Sequence, residues 1–167
     1  MKNNYSLVVV FAFVALLTGV TYAADTGNVQ VTVTAKSVSV TVTDGSVAFG
    51  SVDLGTSTST VGGSETQVVE NAGNITEDIN IKCSDAASGT VNWILNSTTG
   101  SNQFALDFSS TTGSGWTPIT ASNTYFALIP NLGASATDTL DLQLHMPSFS
   151  TDSVEKTITI TVQAVQA

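Results

Sequence analysis

The sequence predicts an all-β protein, an antiparallel β-sandwich of roughly eight to ten strands. Val and Thr are abundant, and both favour strands because branching at Cβ restricts χ1. No window of the mature sequence shows the 3.6-residue apolar period of a helix. Clusters of Gly, Asn, Ser and Asp recur about every 8 to 14 residues, which is the spacing expected for turns between short antiparallel strands.

The first 23 residues predict a secretory signal peptide. Met1 and Lys2 form a short positive start, an apolar run of about 15 residues follows, and small residues ending at Ala23 suit a cleavage site. The run is shorter than the roughly 20 residues that cross a bilayer, so no stable membrane span is expected after cleavage. Residues 24–167 then form a single secreted β-sandwich domain, extracellular or on the cell surface.

The charge of the mature chain narrows the classes of partner. The mature chain has three lysines, no arginine and 13 acidic residues, which gives a formal charge of −10. Nucleic-acid binding needs Lys and Arg clusters that displace the counterions of the phosphates, so nucleic acid is excluded as a partner. Anionic lipid surfaces are disfavoured for the same reason.

Five segments have the alternating pattern of strands with one face on a core and one face in water. In the fourth of them, Asp141, Gln143 and His145 are expected on the water-facing side. The five segments are INIKC (79–83), TVNWIL (90–95), FALDF (104–108), LDLQLHM (140–146) and TITITVQAV (157–165).

The N-terminal stretch VQVTVTAKSVSVTVTDG changes its apolar parity. Val29, Val31 and Val33 occupy odd positions, whereas the valines after the AKS at 35–37 occupy even positions. Because parity fixes the face of a strand, the change needs a bulge or kink near 35–37. One interpretation is a strand that crosses between the two sheets. The other is that Val29–Val33 is an assembly strand, which pairs with the open edge of a neighbouring subunit.

A module of secreted bacterial surface proteins is suggested by VAFGSVDLG at 47–55 and NAGN at 71–74. The matching positions are Phe49, Gly50, Val52, Gly55, Asn71, Gly73 and Asn74. The pattern, FGxVxxG followed by NxGN, resembles immunoglobulin-like repeats of bacterial surface proteins and covers about a third of the mature chain. The resemblance implies an immunoglobulin-like sandwich used in adhesion or scaffolding, without catalysis.

Trp93 supports a second, weaker resemblance. The motif Trp93-Ile94-Leu95 after an Asp- and Gly-rich turn is similar to the first tryptophan motif of WxL surface domains, which implies peptidoglycan binding. The second such motif is missing from the C-terminal TITITVQAVQA. On its strand face, Trp93 is expected to be the core tryptophan of the sandwich.

Trp116 lies in the loop TTGSGWTP, where it has no periodic apolar neighbours. One interpretation is a loop aromatic that folds over the end of the core. The alternative is a sugar-stacking platform, with Tyr125 and Phe126 as the nearby aromatic residues in the sequence. The second interpretation predicts a carbohydrate- or cell-wall-binding module whose partner is a polysaccharide.

The sequence predicts no enzyme, cofactor or metal site. It has no GxSxG elbow, no HExxH motif, no Cys/His signature and no EF-hand spacing. His145 and Asp141 on one strand would stand roughly 13 Å apart, too far to share an ion. The single cysteine, Cys83, is expected to be a buried apolar residue, with an intermolecular disulfide as the alternative.

Together these features predict a structural or adhesive protein outside the cell. Its partners are expected to be copies of itself or other surface proteins, and its assembly strand is Val29, Val31 and Val33. The alternative is the carbohydrate-binding module that uses Trp116.

Overall fold

The structure is a computed structural model that describes residues 27–62 and 65–167. The chain divides into two units, 1–34 and 35–167, and the predicted signal peptide lies outside the described residues. In the first unit, residues 27–34 contain no strand and are exposed. The described part of the second unit forms ten strands: β1 (Val40–Val42), β2 (Ser57–Ser59), β3 (Gln67–Asn71), β4 (Glu77–Cys83), β5 (Ile94–Leu95), β6 (Gln103–Ser109), β7 (Thr117–Pro118), β8 (Phe126–Leu132), β9 (Thr137–His145) and β10 (Ile160–Gln166).

These strands form two sheets, which confirms the predicted all-β, sandwich-like fold. The larger sheet has the order β1-β3-β9-β6-β5, with β2 also paired to β9 and β7 to β6. The smaller sheet has the order β10-β4-β8. No helix occurs in the ranges that the structure describes. The same ranges contain no helix that is long and apolar enough to cross a membrane.

The core lies where the apolar faces of the long strands meet. In β4, Ile79, Ile81 and Cys83 are buried while the residues between them are half-buried, as the alternating pattern predicts. Leu142 and Leu144 of β9 are likewise buried. Strands are present in all five predicted segments, although the segment at 90–95 contributes only the short β5. β5 is also the one strand that pairs in parallel among those described, with β6.

Asp141 corrects the sequence interpretation, because it is fully buried and does not face water. β2 and β3 pair with successive parts of β9, and Thr60 follows β2 while Thr66 precedes β3. Thr60 and Thr66 donate their hydroxyls to Asp141 Oδ1 at 2.9 and 2.6 Å. The buried carboxylate therefore joins the end of β2 and the start of β3 to β9.

The predicted crossing of the N-terminal strand between the sheets is not present. Residues 29–33 have no strand assignment, and backbone pairing with the β3 side begins at Ser37, whose carbonyl accepts from Asn74 N–H at 3.1 Å. The side chain of Asn74 fixes this start: Nδ2 donates to Ala35 O at 2.8 Å and Oδ1 accepts from Ser37 N–H at 2.8 Å. The parity change at 35–37 therefore coincides with the point where the chain is first anchored.

Gly73 is the position of the NAGN turn that requires glycine, next to the contacts of Asn74 with Ala35 and Ser37. Its N–H donates to Asn71 Oδ1 at 2.9 Å, and a Cβ there would collide with Ser37 O and Glu77 Oε1. The same Glu77 oxygen accepts from Ser39 N–H at 2.9 Å, so a side chain at 73 would displace the incoming strand. The turn and the start of the first strand thus form one unit.

Candidate functional site

The N-terminal segment keeps large apolar side chains in water. Val29, Val31 and Val33 are 87%, 84% and 93% exposed, respectively. Three exposed valines that alternate with polar residues are costly to leave in water, since burying one such side chain is worth about 1.5–3 kcal/mol. This exposure is the feature expected of a segment whose partner is another molecule. We call residues 29–33 the donor segment.

A cleft of about 1000 Å³ opens along one side of the second unit. Val40 and Val42 of β1 stand at one wall, and Ile160 and Val162 of β10 stand at another. The buried face of the larger sheet lies at the bottom, and the irregular stretch 45–54 contributes further apolar side chains. We call this space the side cleft.

The apolar residues of β10 at the side cleft are only partly covered. Ile160 and Val162 pack against the core but are half-buried, whereas Ile79 and Ile81 on the adjacent β4 are fully buried. At the opposite edge of the same sheet, β8 buries most of its apolar side chains, including Ile129 at 6% exposure. Both β10 and β8 are edges of the small sheet, but the apolar side chains of β10 are covered less than those of β8.

An ion pair between Lys156 and Asp152 lies on the wall of the side cleft, and its two charges neutralise one another. Lys156 Nζ donates to Asp152 Oδ2 at 2.9 Å, and it also donates to the carbonyls of Val91, at 2.6 Å, and Ser88. The lysine hydrogen bond, followed by backbone N–H donors, holds the pKa of Asp152 well below its usual range. Trp93 lies under this pair, its ring centre 5.7 Å from Lys156 Nζ.

Trp93 is buried, as the prediction of a core tryptophan requires. It is 7% exposed, and its Nε1 donates to Ser150 Oγ at 3.0 Å. Trp116 is half-buried immediately before β7, and it does not line the side cleft. Tyr125 is 39% exposed and lies 4.7 Å below Lys82 Nζ, measured to the ring centre. The sugar-platform role of Trp116 stays a prediction.

A hydroxyl, an imidazole and a carboxylate meet on the outer face of the larger sheet, and sequence reasoning missed this contact. His145 Nδ1 lies 2.6 Å from Ser57 Oγ, and His145 Nε2 lies 3.1 Å from Asp107 Oδ2. Ser57 stands directly opposite His145 in the β2–β9 pair. The bonds tie two neighbouring strands to β9. Residues so far apart in the chain leave no local motif, and only the strand register could have revealed them.

Cys83 faces the core, where it has no access to a second chain. The thiol is fully buried, and burial, with the Asp85 carboxylate as a smaller cause, raises its pKa from 9.0 to about 12. This position contradicts the alternative of an intermolecular disulfide in the folded protein and favours the buried apolar role. Among the described residues, no group of three or more His, Cys, Asp or Glu side chains could hold a metal ion.

The comparisons with known proteins add no relative. A scan against protein-family models found no match, and a search of curated proteins found none with significant similarity.

Proposed function

We propose that this protein is a non-catalytic structural or adhesive component outside the cell, and that its copies assemble through the donor segment. The observation that supports the proposal is the exposure of Val29, Val31 and Val33 on a chain that also has an open apolar cleft. An unpaired extended segment of alternating apolar residues gains both burial and backbone hydrogen bonds when it joins another sheet.

Assembly by a terminal segment is head-to-tail, because the segment that one copy inserts differs from the surface of the next copy that binds it. Such a heterologous contact repeats in every copy and produces a chain or filament unless the geometry closes into a ring. A filament is the form expected of a matrix or surface-fibre subunit. The predicted leader at residues 1–23 supports a location outside the cell, where assembly would follow export.

The test compares oligomeric states by size-exclusion chromatography with light scattering and by negative-stain microscopy. The parent chain begins at Ala24, and the variant replaces Val29, Val31 and Val33 with serine. Its matched control replaces Gln30, Thr32 and Thr34, on the opposite face of the segment, with serine. We expect fibres or ladders of oligomers for the parent and control, and monomers for the valine variant.

Two further chains separate assembly from sugar binding. A chain beginning at Ala35 should be monomeric, whereas Trp116→Ala in the parent should assemble unchanged. Retention of the parent on insoluble polysaccharide, lost in Trp116→Ala, would support the carbohydrate-binding alternative. A parent that remains monomeric at high concentration would overturn the assembly proposal.

A further inference from the structure

We propose that the donor segment of one copy adds to the open edge of β10 in the next copy, as a fourth strand of the small sheet. This inference rests on the proposed function and names the acceptor that the function leaves open. It makes the side cleft a docking site for a second copy of this chain. Four features favour this acceptor: the free backbone groups of β10, its half-buried side chains, the lack of charge on the donor segment and the length of the β10 edge.

The backbone of β10 has free hydrogen-bonding groups on the side away from β4. The register pairs Ile160 with Cys83, and the bonds recorded just beyond the two ends of this pairing run from Ser84 N–H to Thr159 O and from Ala167 N–H to Thr76 O. Antiparallel bonds alternate along a strand, so odd residues of β10 bond to β4 and even residues point outward. The outward groups of Ile160, Val162 and Ala164 have no partner among the described residues.

The side chains of the same even residues face the core and are half-buried. Ile160, Val162 and Ala164 repeat every second residue, as do Val29, Val31 and Val33 of the donor segment. Strand residues two apart are separated by roughly 6.5 to 7 Å in either element, so the two sets match along their length. A strand added here therefore covers the exposed sides of these three residues and buries its own valines.

The other face of the donor segment suits water. Gln30 and Thr32 alternate with the valines, so insertion with the valines inward leaves polar side chains outside. From residue 27 to residue 43 the only charged residue is Lys36, whereas the chain as a whole has a net charge of −9. The exposed Glu155 lies on the cleft wall. An uncharged strand followed by a lysine is the part of this acidic chain that a second copy repels least.

The alternative edges fit less well. β8 is the other edge of the small sheet, but its leucines and Ile129 are already buried. Within it Pro130 has no N–H to offer, and Asn131 N–H donates to Asp78 Oδ1 at 2.8 Å. β1 borders the same cleft and also has half-buried valines, but it has only three residues. β10 has seven, which is enough to pair with all five residues of the donor segment.

The first test uses proline at the open edge. Val162→Pro removes an outward N–H without touching the bonds to β4, and proline is tolerated at such positions of edge strands. Gln166→Pro removes an equivalent N–H at the end of the strand and is the matched control. We expect Val162→Pro to lower the oligomer fraction at least tenfold and Gln166→Pro to leave it unchanged, with circular dichroism and thermal unfolding confirming that both variants fold.

The second test fixes the contact covalently. Val31 and Val162 are the central residues of their runs, so they lie opposite one another whichever way the donor strand points. Both test chains also carry Cys83→Ala, which removes the native thiol on the adjacent β4. The chain with Val31→Cys and Val162→Cys should form an intermolecular ladder on oxidation, as read on a non-reducing gel. The comparison chain, with Val31→Cys and Val40→Cys, tests the β1 edge and should remain monomeric on the gel.

Each outcome supports or overturns one of the two proposals. A parent that never assembles overturns the proposed function and this inference together. A parent that assembles through its valines, but is unaffected by Val162→Pro, overturns only the choice of β10. A 31–162 disulfide that forms within one chain, or a 31–40 ladder that exceeds the 31–162 ladder, also overturns it.

Discussion

Lys156 Nζ lies 2.9 Å from Asp152 Oδ2, and both side chains are only 4% exposed. The two residues do not contribute equally to the structure around them. Asp152 accepts from the backbone N–H groups of Thr90, Val91 and Val154 at 2.9 to 3.1 Å. The pair therefore joins the stretch after β4 to the stretch before β10, on the wall of the side cleft.

The first prediction is that Asp152→Ala lowers the melting temperature more than Lys156→Met. Removing the aspartate leaves the Lys156 ammonium without its opposite charge and three backbone N–H groups without their acceptor. Removing the lysine leaves a carboxylate that is still held by the same N–H donors. Thermal unfolding at pH 7 measures the order. The control, Glu155→Ala on the exposed neighbour, should change stability by no more than about 0.5 kcal/mol. Equal effects of the two substitutions would contradict the asymmetry.

The second prediction concerns acid. Because the pKa of Asp152 is lowered from 3.8 in the folded protein, its ionised form contributes stability that is complete above that value and is lost as the pH falls through the folded pKa. The melting temperature of the parent should therefore fall below about pH 4 more steeply than that of Asp152→Asn. Melting curves between about pH 7 and 2 test this. Parallel curves for the two proteins would show that other carboxylates govern the acid response.

The third prediction is that Cys83 resists alkylation in the folded protein. At pH 8, raising the pKa from 9.0 to about 12 reduces the thiolate fraction about a thousandfold, and burial adds a steric barrier. Iodoacetamide labelling followed by mass spectrometry should give almost no adduct in buffer and complete labelling in denaturant. Cys83→Ala, which has no thiol, controls for other labelling. Rapid native labelling, or a dimer that disappears on reduction, would contradict the buried position.

The fourth prediction separates a structural tie from catalysis at His145. If the bonds to Ser57 and Asp107 only hold strands together, His145→Ala should cost about 0.5–1.5 kcal/mol of unfolding free energy. Ser57→Ala should hydrolyse p-nitrophenyl acetate no faster or slower than the parent. Gln143→Ala, on the same strand, is the stability control. Saturable hydrolysis that is lost in both Ser57→Ala and His145→Ala would overturn the non-catalytic assignment.

Strand alternation predicted much of this fold because burial follows local period. β4 and β9 could be recognised from Ile79, Ile81, Leu142 and Leu144 alone, since each strand packs one face on the core. The burial of Asp141 could not be predicted, because it depends on hydrogen bonds from Thr60 and Thr66, which are far away in the sequence. Sequence alone predicts that a polar residue on a strand faces solvent unless its hydrogen-bond partners are known.

Of the two parts of the proposed site, only one has a pattern in the sequence, for a similar physical reason. The donor segment is visible as an uncharged run in which Val29, Val31 and Val33 alternate with polar residues. The acceptor is invisible in sequence, because Ile160 and Val162 look like any apolar strand face. Only the sheet order shows that β10 is an edge, and only the burial shows that this edge is incomplete.

The last prediction is that salt speeds assembly without strengthening the assembled contact. Each mature copy has a formal net charge of −10 at pH 7, so approaching copies repel one another at low ionic strength. Raising NaCl from about 0.02 M to 0.5 M shortens the Debye length from over 20 Å to under 5 Å and should raise the assembly rate at least several-fold. The proposed contact buries Val29, Val31 and Val33, which carry no charge, so the dissociation rate on dilution should vary little with salt. Light scattering measures both rates, and Glu155→Gln serves as the control for an ion pair with Lys36 of the neighbour. Assembly that slows or reverses in salt would mean that charge pairs, and not the buried valines, hold the copies together.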